Sequence, residues 1–295
     1  MNAPDRLAAL NLPALVDLGV LADCVRALPP FPEALIEVMR ALEHGELSAR
    51  RSIELIEHDQ ALAASTLRLA NSAFYGAAGR VGSIGDAVRV LGLRTVAGVL
   101  TAATLHDTLR VDQCPEFDFG IYWRHAMASA VIARELASLA RHDADEAFLA
   151  GLMHDVGVLV LAAYEPTRAT AVLSLARERQ MAVEQAESQL LGVAHPLVGG
   201  LVAQRWRFPA SIVEAIERHH EPMPKGPASA VTLPQLIQAT EAMAHALAAP
   251  GEPVRPLPPL ALDFWHRLEQ APEGLLPLLA KLEEDAREMC RALRG

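Results

Sequence analysis

Apolar residues recur at helical spacing along most of this chain, and this periodicity constrains the fold more than any other sequence feature. Leu35, Val38 and Leu42 lie three and four positions apart, as the buried face of a helix requires. No stretch shows the strict apolar–polar alternation with hairpin turns that is typical of strands. Aromatic residues make up only 4% of the chain, which also favours helix over sheet. The sequence therefore predicts an all-α fold.

Helix-starting residues divide the chain into short helices. Ser48, Asp59, Ser83 and Asp143 are predicted N-caps, because their side-chain oxygens can accept hydrogen bonds from backbone N–H groups of the first turn. Glycine and proline residues mark the predicted turns and helix ends. The predicted helices cover about 33–43, 49–57, the segment after Asp59, 84–91, 93–109, 120–140, 144–153, 167–180, 183–191, 196–206, 210–219, 231–248 and 275–293.

The connecting segments predict how the chain is organised. Residues 28–32, LPPFP, form a rigid entry because proline fixes φ. A connector with Pro115 follows the long apolar helix, and Pro250–Pro259 is a proline-rich linker. We expect one compact two-lobe unit. Its parts are a lead-in over 1–27, an N-terminal helical lobe over 28–112, a second lobe over 113–249, and a C-terminal linker and helical extension over 250–295.

Charge and cysteine content disfavour several classes of function. The net charge is −10 and no Lys/Arg run appears, which disfavours general nucleic-acid binding. The three cysteines are odd in number and far apart, as in a reducing compartment. No basic stretch precedes an apolar run at the N-terminus, and no apolar run approaches the roughly 20 residues of a membrane span. We therefore expect a cytoplasmic protein that does not bind membranes.

Histidines are the densest chemical signal in the sequence. Five of those in the middle and later part of the chain each stand near a predicted helix end and are singled out here. Neutral imidazole is the commonest side-chain metal ligand near pH 7. The alternative for each is a structural role, as a satisfied helix histidine or as a cation at a helix C-terminus. The five are His125, His154, His195, His219 and His220.

The sharpest motif is the pair His154-Asp155, which stands between two glycines in the stretch GLMHDVG. Adjacent His and Asp at a helix end can project two ligands toward one ion, and carboxylates join imidazoles for harder ions. Gly151 and Gly157 let other backbone approach closely. The structural alternative is a helix-capping histidine beside an aspartate that is bonded to backbone. The motif predicts either a metal site or a structural remnant of one.

Seven stretches, in this order, resemble one known family, the HDOD family, which is related to the HD metal-dependent phosphohydrolases. The resemblance covers roughly residues 25–245. It implies an all-α HD-like lobe behind an N-terminal helical lobe, and an output or regulatory role in bacterial signalling. The stretches are LPPFP (28–32), IEHDQALAASTLRLANS (56–72), VGSIGDAVRVLG (81–92), WRHA (123–126), AFLAGLMHDVG (147–157), HPLVGGLVAQRWRFP (195–209) and HHE (219–221).

The resemblance also implies a set of metal ligands. In the HD pattern His125 would be the first ligand, followed by the pair His154 and Asp155. Glu241 stands where that pattern has a later aspartate. Because Glu is one methylene longer than Asp, the coordination geometry at Glu241 would differ from the HD pattern.

The similarity to the HD-GYP phosphodiesterases implies a second ion. By that similarity His195 and the pair His219-His220 would bind it, and Glu221 continues the His-His-Glu run. The Gly-Tyr-Pro signature is absent after Glu221. Its absence removes the specific basis for assigning cyclic di-GMP hydrolysis to this chain.

A catalytic version of this site would need metal ions and cationic groups. One or two divalent ions (Fe, Mn, Mg or Zn) would lower the pKa of bound water, and Asp155 would both bind metal and orient the nucleophile. A phosphoester would also need positive charge near the centre. Arg124, Arg205 and Arg218 are phosphate-binding candidates by their proximity in sequence.

Three functions remain open at this point. The first is a non-enzymatic module that binds a signalling protein or a nucleotide, favoured by Glu241 and by the missing signature. The second is a metal-dependent phosphohydrolase or phosphodiesterase acting on a nucleotide or cyclic dinucleotide. The third is a metal-centred redox or oxygen sensor.

Two further interpretations concern the remaining chain. The leucines of the C-terminal extension are expected to pack on the HD-like lobe or to form an interface, such as that of a homodimer. Six other histidines lack a matching context and are interpreted as surface or local structure. They are His44, His58, His106, His142, His245 and His266.

Overall fold

A computed structural model of the chain describes residues 16–28, 46–58, 60–71, 81–93, 96, 100, 105, 109, 111–221 and 230–246. Every regular element within these residues is a helix, so the all-α prediction is confirmed. The N-terminal part holds α1 (Leu18–Ala27), α2 (Glu46–His58), α3 (Gln60–Ala70) and α4 (Ile84–Leu91). The second lobe holds α5 (Phe119–Ala137), α6 (Ala144–Met153), α7 (Val156–Tyr164), α8 (Pro166–Arg179), α9 (Val183–Leu191), α10 (His195–Arg205), α11 (Ala210–Arg218) and α12 (Leu233–Ala246).

Side-chain caps define four of these helix starts, at Asp17, Ser83, Asp118 and Asp143, and the sequence predicts two of them. Ser83 caps α4 and Asp143 caps α6, each accepting a hydrogen bond from the backbone N–H three residues further on, at 3.1 and 2.9 Å. Ser48 is not the cap that the sequence predicts, because α2 begins at Glu46 and Ser48 lies inside it. Asp59, the predicted helices over 33–43 and 275–293, and the linker Pro250–Pro259 lie outside the described residues.

One apolar core runs through the described residues of both parts of the chain. It extends from Ile56 and Leu91 in the N-terminal part to Phe148 in the second lobe. Helices α2, α3 and α4 pack on one another, whereas α1 packs on α10 of the second lobe. The N–H of Val16 also donates to the carbonyl of Leu191 at 2.9 Å. Residues 16–27 are therefore attached to the second lobe.

One stretch, Ala144–Tyr164, is long and apolar enough to cross a membrane. However, 78% of its most apolar 18-residue window is buried inside the fold, and the helix is interrupted at His154 and Asp155, between α6 and α7. This stretch is part of the apolar core, in which a polar pair is held deep among apolar helices.

Close backbone contacts position this interruption. A Cβ at Gly157 would overlap the carbonyl oxygen of His195, so α7 and α10 meet only because residue 157 is glycine. A Cβ at Gly151 would lie 2.8 Å from the carbonyl oxygen of Ser129 on α5. The prediction that both glycines admit neighbouring backbone is confirmed, and these contacts bring helix ends from separate parts of the chain together.

Candidate metal centre

Six of the seven predicted metal ligands converge in the second lobe, because several helix ends meet there. The junction between α6 and α7 supplies His154 and Asp155, and the first residue of α10 is His195. The C-terminal end of α11 leads into His219 and His220, and α5 supplies His125 from its side.

The carboxylate of Asp155 lies between two groups of imidazoles. Its Oδ2 is 3.5 Å from Nε2 of His125 and 3.3 Å from Nε2 of His154. Its Oδ1 is 3.2 Å from Nε2 of His195 and 3.7 Å from Nε2 of His219. In each group, one ligand atom per residue lies within 4.8 Å of the others. The first donor group is His125, His154 and Asp155, and the second donor group is Asp155, His195, His219 and His220.

The imidazole nitrogens also face one another within each group. In the first donor group, Nε2 of His125 lies 3.3 Å from Nε2 of His154. In the second, Nε2 of His195 lies 3.3 Å from that of His219 and 3.2 Å from that of His220. Two nitrogens at this distance repel each other if both present lone pairs, so a proton or another cation is needed between them.

Hydrogen bonds behind the rings fix which nitrogen faces the centre. Nδ1 of His154 donates to the carbonyl of Gly151, and Nδ1 of His219 donates to the carbonyl of Ile216, both at 2.7 Å. A carbonyl oxygen can only accept, so Nδ1 carries a proton in both rings. In the neutral ring Nε2 is then unprotonated and presents its lone pair to Asp155.

Glu187 of α9 orients a third ring. Its Oε2 accepts hydrogen bonds from both the backbone N–H and Nδ1 of His195, each at 2.7 Å, and the side chain is only 2% exposed. Glu187 was not predicted from the sequence, although a signal exists. Val183, Glu187 and Leu191 are spaced four residues apart, so a carboxylate stands in the middle of an apolar helix face.

Burial and neighbouring charges act in opposite directions on these groups. Burial lowers the pKa of both His125 and His220 to about 3. Burial also disfavours the charged form of His154, but the carboxylate of Asp155 raises the pKa of that ring above its usual value. Burial would raise the pKa of Asp155, yet His154 and hydrogen bonds from the rings of the second donor group hold it well below its usual range. Asp155 is therefore an ionised carboxylate in a buried place.

The chemistry of the donors fits divalent metal ions. Imidazole nitrogens and both oxygens of Asp155 converge, and imidazole with carboxylate is a ligand set that suits Zn, Fe and Mn. Metal-binding histidines commonly donate their other N–H to a backbone carbonyl or a carboxylate, as His154, His195 and His219 do here. The residues present are able to hold one or two ions.

Glu241 and His245 of α12 lie behind the rings of the donor groups. Oε2 of Glu241 is 3.5 Å from Nδ1 of His220, and Oε1 is 3.6 Å from Nε2 of His245. Among the described residues, Glu241 belongs to neither donor group, so it is placed as an outer partner rather than as the expected ligand. His245 stacks on His125 with ring centroids 4.2 Å apart, and its interpretation as surface or local structure was wrong.

The other histidines interpreted as local structure divide into two sets. Nε2 of His142 donates to the carbonyl of Val231 at 2.8 Å, and Nδ1 of His58 donates to the carbonyl of Glu54 at 2.7 Å. The role of His58 is local, as the sequence predicts, whereas His142 joins two distant parts of the chain. The remaining three, His44, His106 and His266, lie outside the described residues.

The three arginines that were predicted to bind phosphate differ in their surroundings. Arg218 forms ion pairs with Glu214 and Glu221 on an exposed surface. Arg205 is exposed in the last turn of α10, and the guanidinium of Arg124 lies beside Gly120, one turn earlier in α5. Arg218 directly precedes His219 in the chain, but successive helical residues point about 100° apart, so the two side chains face different ways.

Comparison with known proteins identifies the family. The family model of the HDOD domain matches residues 28–222. An uncharacterized protein of Treponema pallidum (strain Nichols) is 28% identical over 209 residues, which is 70% of this chain. The chain spans only 40% of the length of that curated relative.

Solved structures share the fold. The crystal structure of a candidate phosphohydrolase from Shewanella amazonensis SB2B is 28% identical, with a TM-score of 0.71 and coverage of 92% of this chain and 97% of that one. An HDOD domain protein of unknown function from Geobacter sulfurreducens is 24% identical, with a TM-score of 0.73 and coverage of 94% and 98%. A candidate signal transduction protein from Marinobacter aquaeolei VT8 is 23% identical, with a TM-score of 0.74 and coverage of 97% and 68%. By its sequence match and its fold, the chain belongs to the HDOD family.

Proposed function

We propose that this protein is a signal-transduction module of the HDOD type whose HD-like lobe binds one or two divalent metal ions at the two donor groups. The observation that carries the proposal is the position of Asp155. Its two oxygens face separate groups of imidazoles, and four rings turn Nε2 toward this one side chain. A structural aspartate needs only one or two hydrogen-bond donors, so this number of rings favours a metal site.

Burial strengthens the case for a bound cation. The side chains of His154, His195 and His219 are between 0 and 3% exposed. Buried polar atoms normally have a partner, and the Nε2 atoms of these three rings meet only other imidazole nitrogens and Asp155 within the described part of the chain. A divalent ion would satisfy several of these atoms at once, and its binding would release the protons that otherwise separate them.

A regulatory role fits the surroundings of the centre better than rapid phosphoester turnover does. Arg218 is committed to Glu214 and Glu221, and Arg205 is exposed in the last turn of α10. A phosphate clamp usually relies on such cations. We propose that the module acts in the cytoplasm by binding a signalling protein or a nucleotide ligand.

Elemental analysis of the untagged protein tests the metal centre. We expect one to two equivalents of Fe, Mn or Zn per chain in the purified protein, or after incubation with each ion and removal of the excess. A His154→Ala/His219→Ala double variant removes one ring from each donor group and should lose the metal. His58→Ala, at an exposed position of α2, is the matched control and should keep it. A wild-type protein that takes up none of these ions would refute the proposal.

A second candidate function is metal-dependent phosphohydrolase or phosphodiesterase activity on a nucleotide or cyclic dinucleotide. It is favoured by the 28% identity to the Shewanella protein and by the position of Asp155 in both donor groups. Two bound divalent ions would supply an acidified water and hold a phosphate oxygen. Asp155 would orient the attacking oxygen. Tyr122, three residues before His125 on α5, keeps its proton because burial and the charge of Asp155 raise its pKa, so it can donate a hydrogen bond.

Turnover assays separate the two functions. The metal-loaded protein would be assayed with bis(p-nitrophenyl) phosphate, with nucleotides and with cyclic dinucleotides. Hydrolysis that is lost in Asp155→Asn and retained in His58→Ala would establish the enzyme. Metal-loaded protein without turnover on any of these substrates would leave the binding module as the function.

A further inference from the structure

The two donor groups are unequal in the ligands that they offer. The first has two imidazoles and Oδ2 of Asp155, whereas the second has three imidazoles and Oδ1. We propose that the second donor group is the high-affinity position and that the first is an exchangeable position, so the centre passes from one ion to two as divalent metal becomes available. This inference rests on the proposed metal centre and adds how that centre responds to metal supply.

Carboxylates stand behind two of the three rings of the second donor group. Glu187 is buried and holds His195 through two hydrogen bonds of 2.7 Å. Glu241 lies 3.5 Å from Nδ1 of His220. A carboxylate behind an imidazole fixes the ring and increases its basicity, and losing such a partner typically costs about 10- to 100-fold in metal affinity. The second donor group therefore has both more ligands and better supported ligands.

The first donor group has weaker support. Nδ1 of His154 donates to the uncharged carbonyl of Gly151. The ring of His125 stacks on that of His245, with an angle of 24° between the planes, and no carboxylate accepts from its Nδ1 within the described residues. An ion at this position would gain one charged ligand, Asp155, which it must share.

Sharing Asp155 lowers the affinity for the second ion. Each oxygen of this carboxylate serves one donor group, so two bound divalent ions would divide a single negative charge and repel each other. Repulsion makes whichever ion binds later bind more weakly. Because the second donor group has more and better supported ligands, it is the one that fills first. Binding at the first donor group would then act on His125 and, through the stacked ring of His245, on α12.

Titration of metal-free protein with Co²⁺ tests the inference, because calorimetry gives the affinity of each step and the visible absorption of cobalt reports its ligands. We expect two steps of one equivalent each, with dissociation constants at least about 10-fold apart. Glu187→Gln should weaken the tight step, at the second donor group, by about 10- to 100-fold. It should leave the weak step, at the first donor group, nearly unchanged. His125→Ala should abolish only the second step. Glu178→Gln, an exposed change on α8, is the matched control and should behave as wild type.

The outcomes separate the inference from the proposed function. Two steps of equal affinity, or a Glu187→Gln variant that weakens only the second step, would overturn the inference and leave the metal centre intact. Loss of the tight step in His125→Ala would also overturn it. Circular dichroism and thermal unfolding of the metal-free variant would show that it is folded. No heat and no cobalt spectrum at millimolar Co²⁺ would refute the metal centre itself.

Discussion

The two lobes of this molecule bury different kinds of side chain. In the described part of the N-terminal lobe, the buried residues are apolar, such as Ile56 and Leu91, or carry small hydroxyl groups, such as Thr66. Apolar burial stabilises a fold by about 25 cal/mol per Å², whereas a buried ionisable group costs free energy unless it is paired. The HD-like lobe nevertheless buries several ionisable groups at its centre. Its fully buried ionisable side chains include His154, Glu187, His195 and His219.

This difference in buried side chains indicates that the two lobes have different roles. The N-terminal helices gain stability from their packing and contribute nothing to the donor groups among the described residues. The HD-like lobe keeps costly groups together, which is typical of functional sites rather than of scaffolds. Changes near the centre should therefore affect metal binding and stability together, whereas changes in the N-terminal lobe should affect stability alone.

The largest expected effect comes from the contact between α7 and α10. Gly157→Ala would place a methyl group on the carbonyl oxygen of His195, and the helices would have to separate. We expect a loss of about 3 kcal/mol in the free energy of unfolding, measured by urea denaturation. Metal binding should fall as well, because His195 belongs to the second donor group.

The matched control for this change lies in the N-terminal lobe. A Cβ at Gly82 would meet no other atom within 4 Å, so Gly82→Ala should stay within about 0.5 kcal/mol of wild type. Equal stability of Gly157→Ala and Gly82→Ala would show that the two helices do not meet as described.

The next effect concerns the charge shared by both donor groups. Asp155→Asn removes it without changing the size of the side chain, and both Co²⁺ binding steps should weaken at least about 100-fold by calorimetry, because an inner ligand contributes no less than its outer partners. Asp86→Asn, an equivalent change on α4, should leave both steps unchanged. Wild-type affinity in Asp155→Asn would contradict a shared carboxylate.

Adding metal should stabilise the HD-like lobe selectively. At a free metal concentration about 100 times the dissociation constant, the folded state gains about 2.7 kcal/mol. Hydrogen exchange followed by mass spectrometry should show the added protection in peptides covering 144–164 and 195–221. In 46–58 and 81–93, amides that exchange by local opening rather than by global unfolding should change little. Equal added protection in both lobes would remove the proposed difference between them.

The smallest expected effect is confined to the N-terminal lobe. Ser83→Ala removes the N-cap of α4 and should cost about 1 kcal/mol in the free energy of unfolding, measured by thermal or urea denaturation. The metal content of this variant should equal that of wild type. A change in metal content would mean that α4 is coupled to the centre, against the division of tasks described above.

The residues of the donor groups were easier to predict from the sequence than their partners were. His154 and Asp155 stand out because two polar residues interrupt an apolar stretch, and the family resemblance pointed to the imidazoles that join them. Helix starts such as those at Ser83 and Asp143 were predictable because a cap acts on residues two or three positions away. These features depend on local spacing, which a sequence displays directly.

The partners depend on which helix faces meet after packing. Glu187 supports His195 only because α9 and α10 lie side by side, and His245 reaches His125 only because α12 packs on α5. Arg218 precedes His219 in the chain, yet its side chain turns to Glu214 and Glu221. For the same reason Glu241 lies behind His220 instead of joining a donor group.

Anomalous diffraction from crystals grown with Zn²⁺ tests most directly whether two groups of imidazoles share Asp155 around bound metal. The account predicts two peaks in the anomalous difference map, one beside each oxygen of Asp155, with the stronger peak at the second donor group. A map without a peak at this carboxylate, or rings of His154 and His219 that turn their Nε2 atoms away from it, would contradict the account.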